Sequence, residues 1–432
     1  AATALYGQSQ VDAYAAHLAS TVLGNPHSAH APSQASTDLL QGVRSNLLAF
    51  FDADPARYDV CLTPNTSAAI KLVAEGYAFG PRRPLVISAD NHNSIVGMRQ
   101  YAAASGAATL VLPLDAELRL EEPEAHLAQA ARTHGPGLLA FPAQSNFSGV
   151  QHDLSLVGTA HALGYDVLLD AAAAGPAGAI SLRTHPVAFL CCAFYKLFGL
   201  PTGLGALIVR RSALARLERP WFAGGTVDFV SIEHGLHRRS AGHAGFEDGT
   251  PNFLAAGAVE GGFALLARVP RPALRRRLRM LTARFLEGAA ALRHADGFPK
   301  IQLYGPRELS GRGATVAFNL LAPDGRCVPY ALVEEHARRA RVAIRGGCFC
   351  NPGAGERAFG FAQRGVASCL RRLQDNFTHA RLQQCLGQDA TVGALRMSLG
   401  LPSNEADVDR LLAFIDACAA LSEHRERVAI GG

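Results

Sequence analysis

Five side chains in this sequence are of types that do chemistry and stand where a chain presents such groups: His92, Asp170, Lys196, Cys350 and Arg396. Lys196 lies between the apolar run Cys191-Cys192-Ala193-Phe194-Tyr195 and the glycine-rich turn Gly199-Leu200-Pro201-Thr202-Gly203-Leu204-Gly205. A strand end followed by such a turn lets backbone approach a ligand. An amine there is partly desolvated, which disfavours the ammonium and favours attack on an aldehyde. The alternative is a lysine that snorkels out of a strand end.

Other residues decide between these readings. Thr66 and Ser67, in Thr63-Pro64-Asn65-Thr66-Ser67, offer hydroxyls and N–H groups at a helix start, where a phosphate is favoured. They also suit an ordinary helix cap. His92, in Asp90-Asn91-His92-Asn93-Ser94, can stack on an aromatic ring or sit on the surface. Asp170 ends the run Val167-Leu168-Leu169, where a carboxylate can pair with a pyridinium nitrogen or cap a helix. Asn146 can reach a phenolic oxygen of the same ring. Together these point to pyridoxal 5'-phosphate held by Lys196 as a Schiff base.

A second group bears on the reaction. Arg345-Gly346-Gly347-Cys348-Phe349-Cys350-Asn351-Pro352-Gly353 is a loop with two thiols. Two ligands at Cys-x-Cys spacing with no partner pair make a poor zinc site, so no metal is expected. A thiol near Arg345 suits nucleophilic chemistry, because a cation raises the thiolate fraction. A structural turn is the alternative. Arg396 stands in the apolar segment Ala394-Leu395-Arg396-Met397. It can hold an amino-acid carboxylate bidentately or pair with an internal acid.

The elements that must position these groups follow from periodicity. Short aliphatic runs at Asp59–Thr63, Leu85–Ser88, Thr109–Pro113, Leu138–Pro142, Asp166–Asp170, Val187–Cys191 and Ala206–Val209 predict strands. Helical patterns at Ser67–Tyr77, Ser94–Ala104, Glu122–Thr133 and Leu154–Leu163 alternate with them. This predicts an α/β domain with a mostly parallel sheet and ligands at the strands' carboxyl ends. After Asn252 the pattern shifts to a long helical stretch, Phe253–Ala291, a strand over Gly313–Asn319, and helices near Val328–Ala340 and Glu405–Leu421. The expected division is a large domain over 20–255 and a smaller α+β domain from 1–19 and 256–432.

Bulk properties exclude several classes. Of 432 residues, 49% are hydrophobic and 18% charged, which describes an ordinary folded protein. A net charge of +5 without a basic, aromatic-interleaved stripe argues against nucleic acid. No apolar run approaches the roughly 20 residues that span a bilayer, and no secretory signal opens the sequence. Nine scattered cysteines then predict free thiols and a cytoplasmic setting without membrane contact.

The sequence resembles fold-type-I, class V pyridoxal-phosphate enzymes, and most closely the desulfurase-like domain of molybdenum cofactor sulfurases. The resemblance rests on Ala2–Gln10, Gly24-Asn25-Pro26-His27-Ser28, His92 with Val96-Gly97-Met98-Arg99, and Phe194-Tyr195-Lys196 through Gly203. Phe246-Glu247-Asp248-Gly249-Thr250 and Gly347-Cys348-Phe349-Cys350-Asn351-Pro352-Gly353-Ala354 match as well. It implies a PLP-dependent transferase fold of type I. Lys196 would carry the cofactor, His92 stack on it, Asp170 pair with its nitrogen, Asn146 meet its phenolic oxygen, and Thr66 and Ser67 hold its phosphate. In a homodimer, Thr250 or Thr226 of another copy would complete the phosphate site.

Arg396, with Asn146 and Arg345, would bind the substrate. The Arg-x-Gly-x-x-Cys spacing of related desulfurases selects Cys350 over Cys348 as the acceptor thiol. L-cysteine would then give alanine and a persulfide on Cys350, passed to an acceptor protein or small molecule. Three departures stand out. Gly355 replaces a frequent third cysteine, Ala193 replaces a frequent serine, and the sequence ends at Gly432, where that family continues into a second domain. The alternatives are a PLP-dependent C–S lyase, aminotransferase or epimerase acting on a cysteine derivative or another amino acid.

Overall fold

The aliphatic runs form a seven-stranded sheet. Its strands are β1 (Tyr58–Thr63), β2 (Leu85–Ser88), β3 (Thr109–Leu112), β4 (Leu138–Pro142), β5 (Asp166–Asp170), β6 (Phe189–Ala193) and β7 (Gly205–Arg210). The order is β1-β7-β6-β5-β4-β2-β3. β3, β2, β4, β5 and β6 run parallel, and β7 is antiparallel to both β6 and β1. The architecture is described from a computed structural model, over residues 4–361, 365–387 and 390–430, with side chains to 418. Ala2 and Thr3 of the opening motif lie outside the described residues.

Side-chain alternation splits the strands between two cores. Val167, Leu169, Leu190 and Ile208 face one layer with Leu39, Val43 and Leu47 of the Ala31–Phe50 helix. Leu168, Phe189, Leu207 and Val209 face the other with Ile70 and Val73 of the Thr66–Gly76 helix. A central strand covered on both faces reads as an unbroken apolar run, as seen here. Each fully buried Leu or Val contributes about 1.5–3 kcal/mol. The expected strand at Val187–Cys191 is observed two residues later, at Phe189–Ala193. That shift places Lys196 one short turn beyond the sheet.

The smaller sheet contains β10 (Ile301–Tyr304), β11 (Thr315–Leu320), β12 (Arg345–Gly347) and β13 (Ala394–Ser398), in the order β10-β11-β13-β12 and antiparallel throughout. Between the sheets in sequence, β8 (Val227–Ser231) and β9 (Leu236–Arg239) form a hairpin. Val316, Phe318, Leu395 and Met397 pack with Leu281 and Phe285 of the Arg271–Ala291 helix and Ile415 of the final helix. The other face carries Ala317, Ala394 and Arg396. Period-two alternation therefore turns Arg396 away from the helices, towards the Cys350 loop.

Three expectations need correction. The Ser94–Ala104 helix is two pieces, Asn93–Val96 and Arg99–Ala104, broken around Gly97. The Phe253–Ala291 stretch is two helices, Phe253–Ala267 and Arg271–Ala291, bent by 78°. Pro270, which has no N–H and disfavours helix in the preceding residue, accounts for the break. Not all cysteines are free: Cys369 and Cys385 form a disulfide between the Val366–Leu373 and His379–Leu386 helices.

Candidate active site

The site gathers at the carboxyl ends of the parallel strands. β2 leads into Asp90 and His92, β4 into Asn146, β5 ends on Asp170, and β6 leads into Lys196. This is where residues leave a parallel sheet and ligands are expected.

Lys196 lies in the short Phe194–Phe198 helix. Phe194 and Phe198 are buried against Phe263, which orients the turn and leaves the lysine on the opposite side. The helix ends at Gly199, in the left-handed region at φ 88°. A side chain there would also strike the backbone of Leu5 and Tyr6, so glycine is required. Gln10 Nε2 donates to the Phe198 carbonyl at 3.1 Å and secures the same end. Burial lowers the Lys196 ammonium below its usual range, and Arg396 and Arg345 add to this against the opposing charge of Asp170.

Asp170 is buried, and one of its oxygens accepts the Ala172 N–H at 2.9 Å. His92 caps the Asn93–Val96 turn, with Nδ1 accepting from Ser94 N–H at 3.1 Å. Burial lowers its pKa, partly offset by Asp170. At the Thr66–Gly76 helix, the cap is Asn65, whose side chain accepts from Ala68 N–H at 3.0 Å. Thr66 and Ser67 are therefore released from capping. Thr66 Oγ1 is buried without a partner, and Ser67 Oγ lies 2.6 Å from Ser94 Oγ. Ser94 was not singled out from the sequence; its signal was a second hydroxyl at a neighbouring helix start.

The second sheet brings the other group. Arg396 is buried, donates to the Asn146 carbonyl, lies 4.6 Å over the Phe349 ring, and keeps Nε without a partner. Burial, then Arg345, lowers its pKa to about 10. Arg345 is exposed and pairs with Arg396 in register across β12 and β13.

Cys350 is exposed and Cys348 half-buried. The Cys348 thiol donates to the Val392 carbonyl at 3.3 Å, and burial pushes its pKa up to about 11. Phe349 and Cys350 are both in the left-handed region, at φ 55° and 57°. Two consecutive non-glycine residues there store on the order of 1–3 kcal/mol each, so other contacts must hold them. Asn146 Nδ2 donates to the Phe349 carbonyl at 2.6 Å, and Asn93 N–H donates to the Cys350 carbonyl at 2.8 Å.

The remaining two candidates are engaged in other contacts. The Thr226 hydroxyl is buried and spent on Ala223, donating to its carbonyl at 2.8 Å and accepting its N–H at 2.9 Å. Thr250 is exposed, with Asn25 Nδ2 at 3.5 Å from its hydroxyl.

These donors fit pyridoxal phosphate. An orphaned buried hydroxyl at a helix N-terminus suits a phosphate. A buried carboxylate suits a protonated ring nitrogen, and a partly desolvated amine suits an aldehyde. Arg396 Nε, without a protein partner, suits a carboxylate.

Comparison with known proteins shows the family. Residues 1–411 match the family described as Aminotransferase class-V. The sequence is 32% identical to molybdenum cofactor sulfurase of Solanum lycopersicum, over 98% of this chain and 55% of that protein. It is 36% identical to the Anopheles gambiae molybdenum cofactor sulfurase, over 97% of this chain and 56% of that protein. The chain thus spans about half the length of these curated relatives. Among solved structures, the apo cysteine desulfurase of Thermococcus onnurineus superposes with a TM-score of 0.78 at 23% identity, covering 97% of this chain and 93% of that one. The Escherichia coli cysteine desulfurase CsdA gives 0.76 at 22%, with the same coverage. At these identities the structural likeness establishes the fold.

Proposed function

Because the chain belongs to the class V aminotransferase family, we propose that it is a pyridoxal-phosphate-dependent cysteine desulfurase. It splits the C–S bond of L-cysteine, releases alanine and leaves the sulfur on Cys350. The observation that carries this reading is the Cys350 turn: an exposed thiol held in a strained conformation next to Phe349, whose ring lies under Arg396. Desulfuration to alanine requires such a thiol as sulfur acceptor, whereas a lyase, aminotransferase or epimerase can turn over without one. The curated relatives are named sulfurases and two structural neighbours are named desulfurases, which supports the same choice.

When bound, pyridoxal phosphate supplies an aldehyde for the amines of Lys196 and substrate, and a ring that accepts electrons from Cα. The chain does the rest. Thr66, Ser67 and the helix N-terminus would hold the phosphate. Asp170 would pair with the ring nitrogen and favour its protonated form, and His92 would contact the ring. Lys196, its ammonium disfavoured by burial, would take the proton from the substrate Cα. Arg396 receives the substrate carboxylate, with Arg345 adding positive charge. Cys350 as thiolate then attacks the substrate sulfur. An S–S bond would form as the C–S bond breaks; the proton given up by the Cys350 thiol would end on Cβ, and Lys196 would return its proton to Cα. The products are alanine and a persulfide on Cys350, which passes its outer sulfur to an acceptor.

We further propose that the enzyme works as a homodimer. Phe229, Ile232 and Leu236 on the β8–β9 hairpin are 65%, 92% and 66% exposed, an apolar tip that a second copy would cover. Thr250, exposed and without a role in its own site, is the candidate for completing the phosphate cradle of that copy.

The test is product analysis with L-cysteine. Alanine in step with protein-bound persulfide upholds the reading, and Cys350→Ala should lose both. Pyruvate and free sulfide in place of alanine would sink it.

A further inference from the structure

A buried polar cluster beneath the Cys350 turn has no part in the chemistry above. Asp90 is fully buried, with Ser145 and Asn351 equally buried and His152 nearly so. One Asp90 oxygen lies 2.9 Å from His152 Nε2. The other accepts from Ser145 Oγ at 2.7 Å and from Asn351 Nδ2 at 2.6 Å. A buried carboxylate is costly unless its lone pairs are met, and here three donors converge on it.

Asn351 follows Cys350, and its amide group is fully used. Its second hydrogen reaches Asn146 Oδ1 at 2.9 Å, and its oxygen accepts the Ala354 N–H at 3.2 Å. Asn146 in turn holds the Phe349 carbonyl. The following residues also press on the loop after β2: a Cβ at Gly353 would come within 2.2 Å of the Ala89 carbonyl. The two left-handed residues are thus bracketed between Asn146 on one side and Asn351 on the other. Asp90 is the fixed point to which Asn351 is tied.

We propose that Asp90, oriented by His152, is a positioning residue that aims the Cys350 thiol at the substrate sulfur through Asn351. This rests on the reading that Cys350 takes the sulfur. A turn with two strained residues relaxes when its anchor is lost, and the thiol moves with it. A displacement near 1 Å at a reacting atom costs about a hundredfold in rate. Asp90 itself touches neither Lys196 nor Arg396, whereas Asn351 also meets Asn146, whose carbonyl accepts from Arg396, so KM is read on the Asp90 variant.

The test uses Asp90→Asn, which keeps shape, and Asn351→Ala, which removes the tether without burying a new charge. Both are made in the full chain loaded with pyridoxal phosphate. The expected result is a kcat for alanine formation lowered about tenfold or more in both, with KM for L-cysteine within about twofold in Asp90→Asn. Amide hydrogen exchange across 348–352, read without cofactor, should quicken at least about threefold while the seven-stranded sheet stays protected. Retention of kcat by both folded variants overturns the proposal. So does a loss of kcat in Asp90→Asn matched by a rise in KM, or faster exchange throughout the sheet. Cys350→Ala, measured in parallel, separates the two claims. If it still forms alanine and persulfide, the role of Cys350 falls. If it loses both while Asp90→Asn is unimpaired, only the positioning role falls.

Discussion

Arg345 and Arg396 stand opposite one another across the antiparallel pair β12–β13, and neither has an acidic partner among the described residues. Two guanidiniums so placed repel, and Arg396 bears the cost of burial as well. An anion delivered to the pair would relieve this repulsion. Replacing Arg396 by Gln removes a charge-assisted contact of about 1.5–3 kcal/mol, so KM for L-cysteine should rise roughly 10–100-fold. Steady-state kinetics check this. A neutral amine substrate lacking the carboxylate should show no such difference between wild type and variant.

The two loop thiols should behave differently. Cys348 is held as a thiol by burial and by the Val392 carbonyl, whereas Cys350 is exposed. Limited iodoacetamide followed by peptide mass spectrometry should label Cys350 well before Cys348. Cys348→Ala should retain alanine formation; Cys350→Ala should abolish it.

Lys196 contributes a pH-dependent instability to the cofactor-free protein. Its ammonium is lowered in the folded state, first by burial, from the unfolded value of 10.5. Between the folded value and 10.5 the unfolded chain binds more protons, so stability rises with pH across that window. Below it the penalty is fully present. Lys196→Met should therefore melt higher than wild type near neutral pH, by on the order of a few degrees. The gap should narrow as pH climbs towards 10.5. Calorimetry of both proteins at several pH values measures it, and a gap that widens with pH would contradict the assignment.

The disulfide closes a separation of 16 residues between two helices that pack on Phe361, Tyr330 and Val392. Loop closure at this length is worth about 3 kcal/mol in the chain-entropy account. Dithiothreitol, or Cys369→Ser with Cys385→Ser, should loosen these helices. Hydrogen exchange should rise across 366–386 and leave β4, β5 and β6 unchanged.

The parallel sheet and the residues at its carboxyl ends were legible because they depend on local pattern. β4 and β5 match their expected bounds, since an apolar run covered on both faces leaves little freedom in register. Lys196 and Asp170 were readable for the same reason, each polar at the end of such a run. The fine breaks were not. Pro270 signalled one that the composition of Phe253–Ala291 concealed, and the cysteines at 369 and 385 gave no sign of pairing.

By itself the sequence determined the fold class, the residues at the strand ends and the loop that carries Cys350, because periodicity and turn chemistry act over a few neighbouring residues. Tertiary structure decided which of them meet. Asp90 reaches His152 across 62 residues and Asn351 across 261, and no local rule reports contacts of that span. It also decided that Cys350 is the open thiol and Cys348 the enclosed one. That difference is one of burial and hydrogen bonding, set only when β12, β13 and the loop after β2 come together.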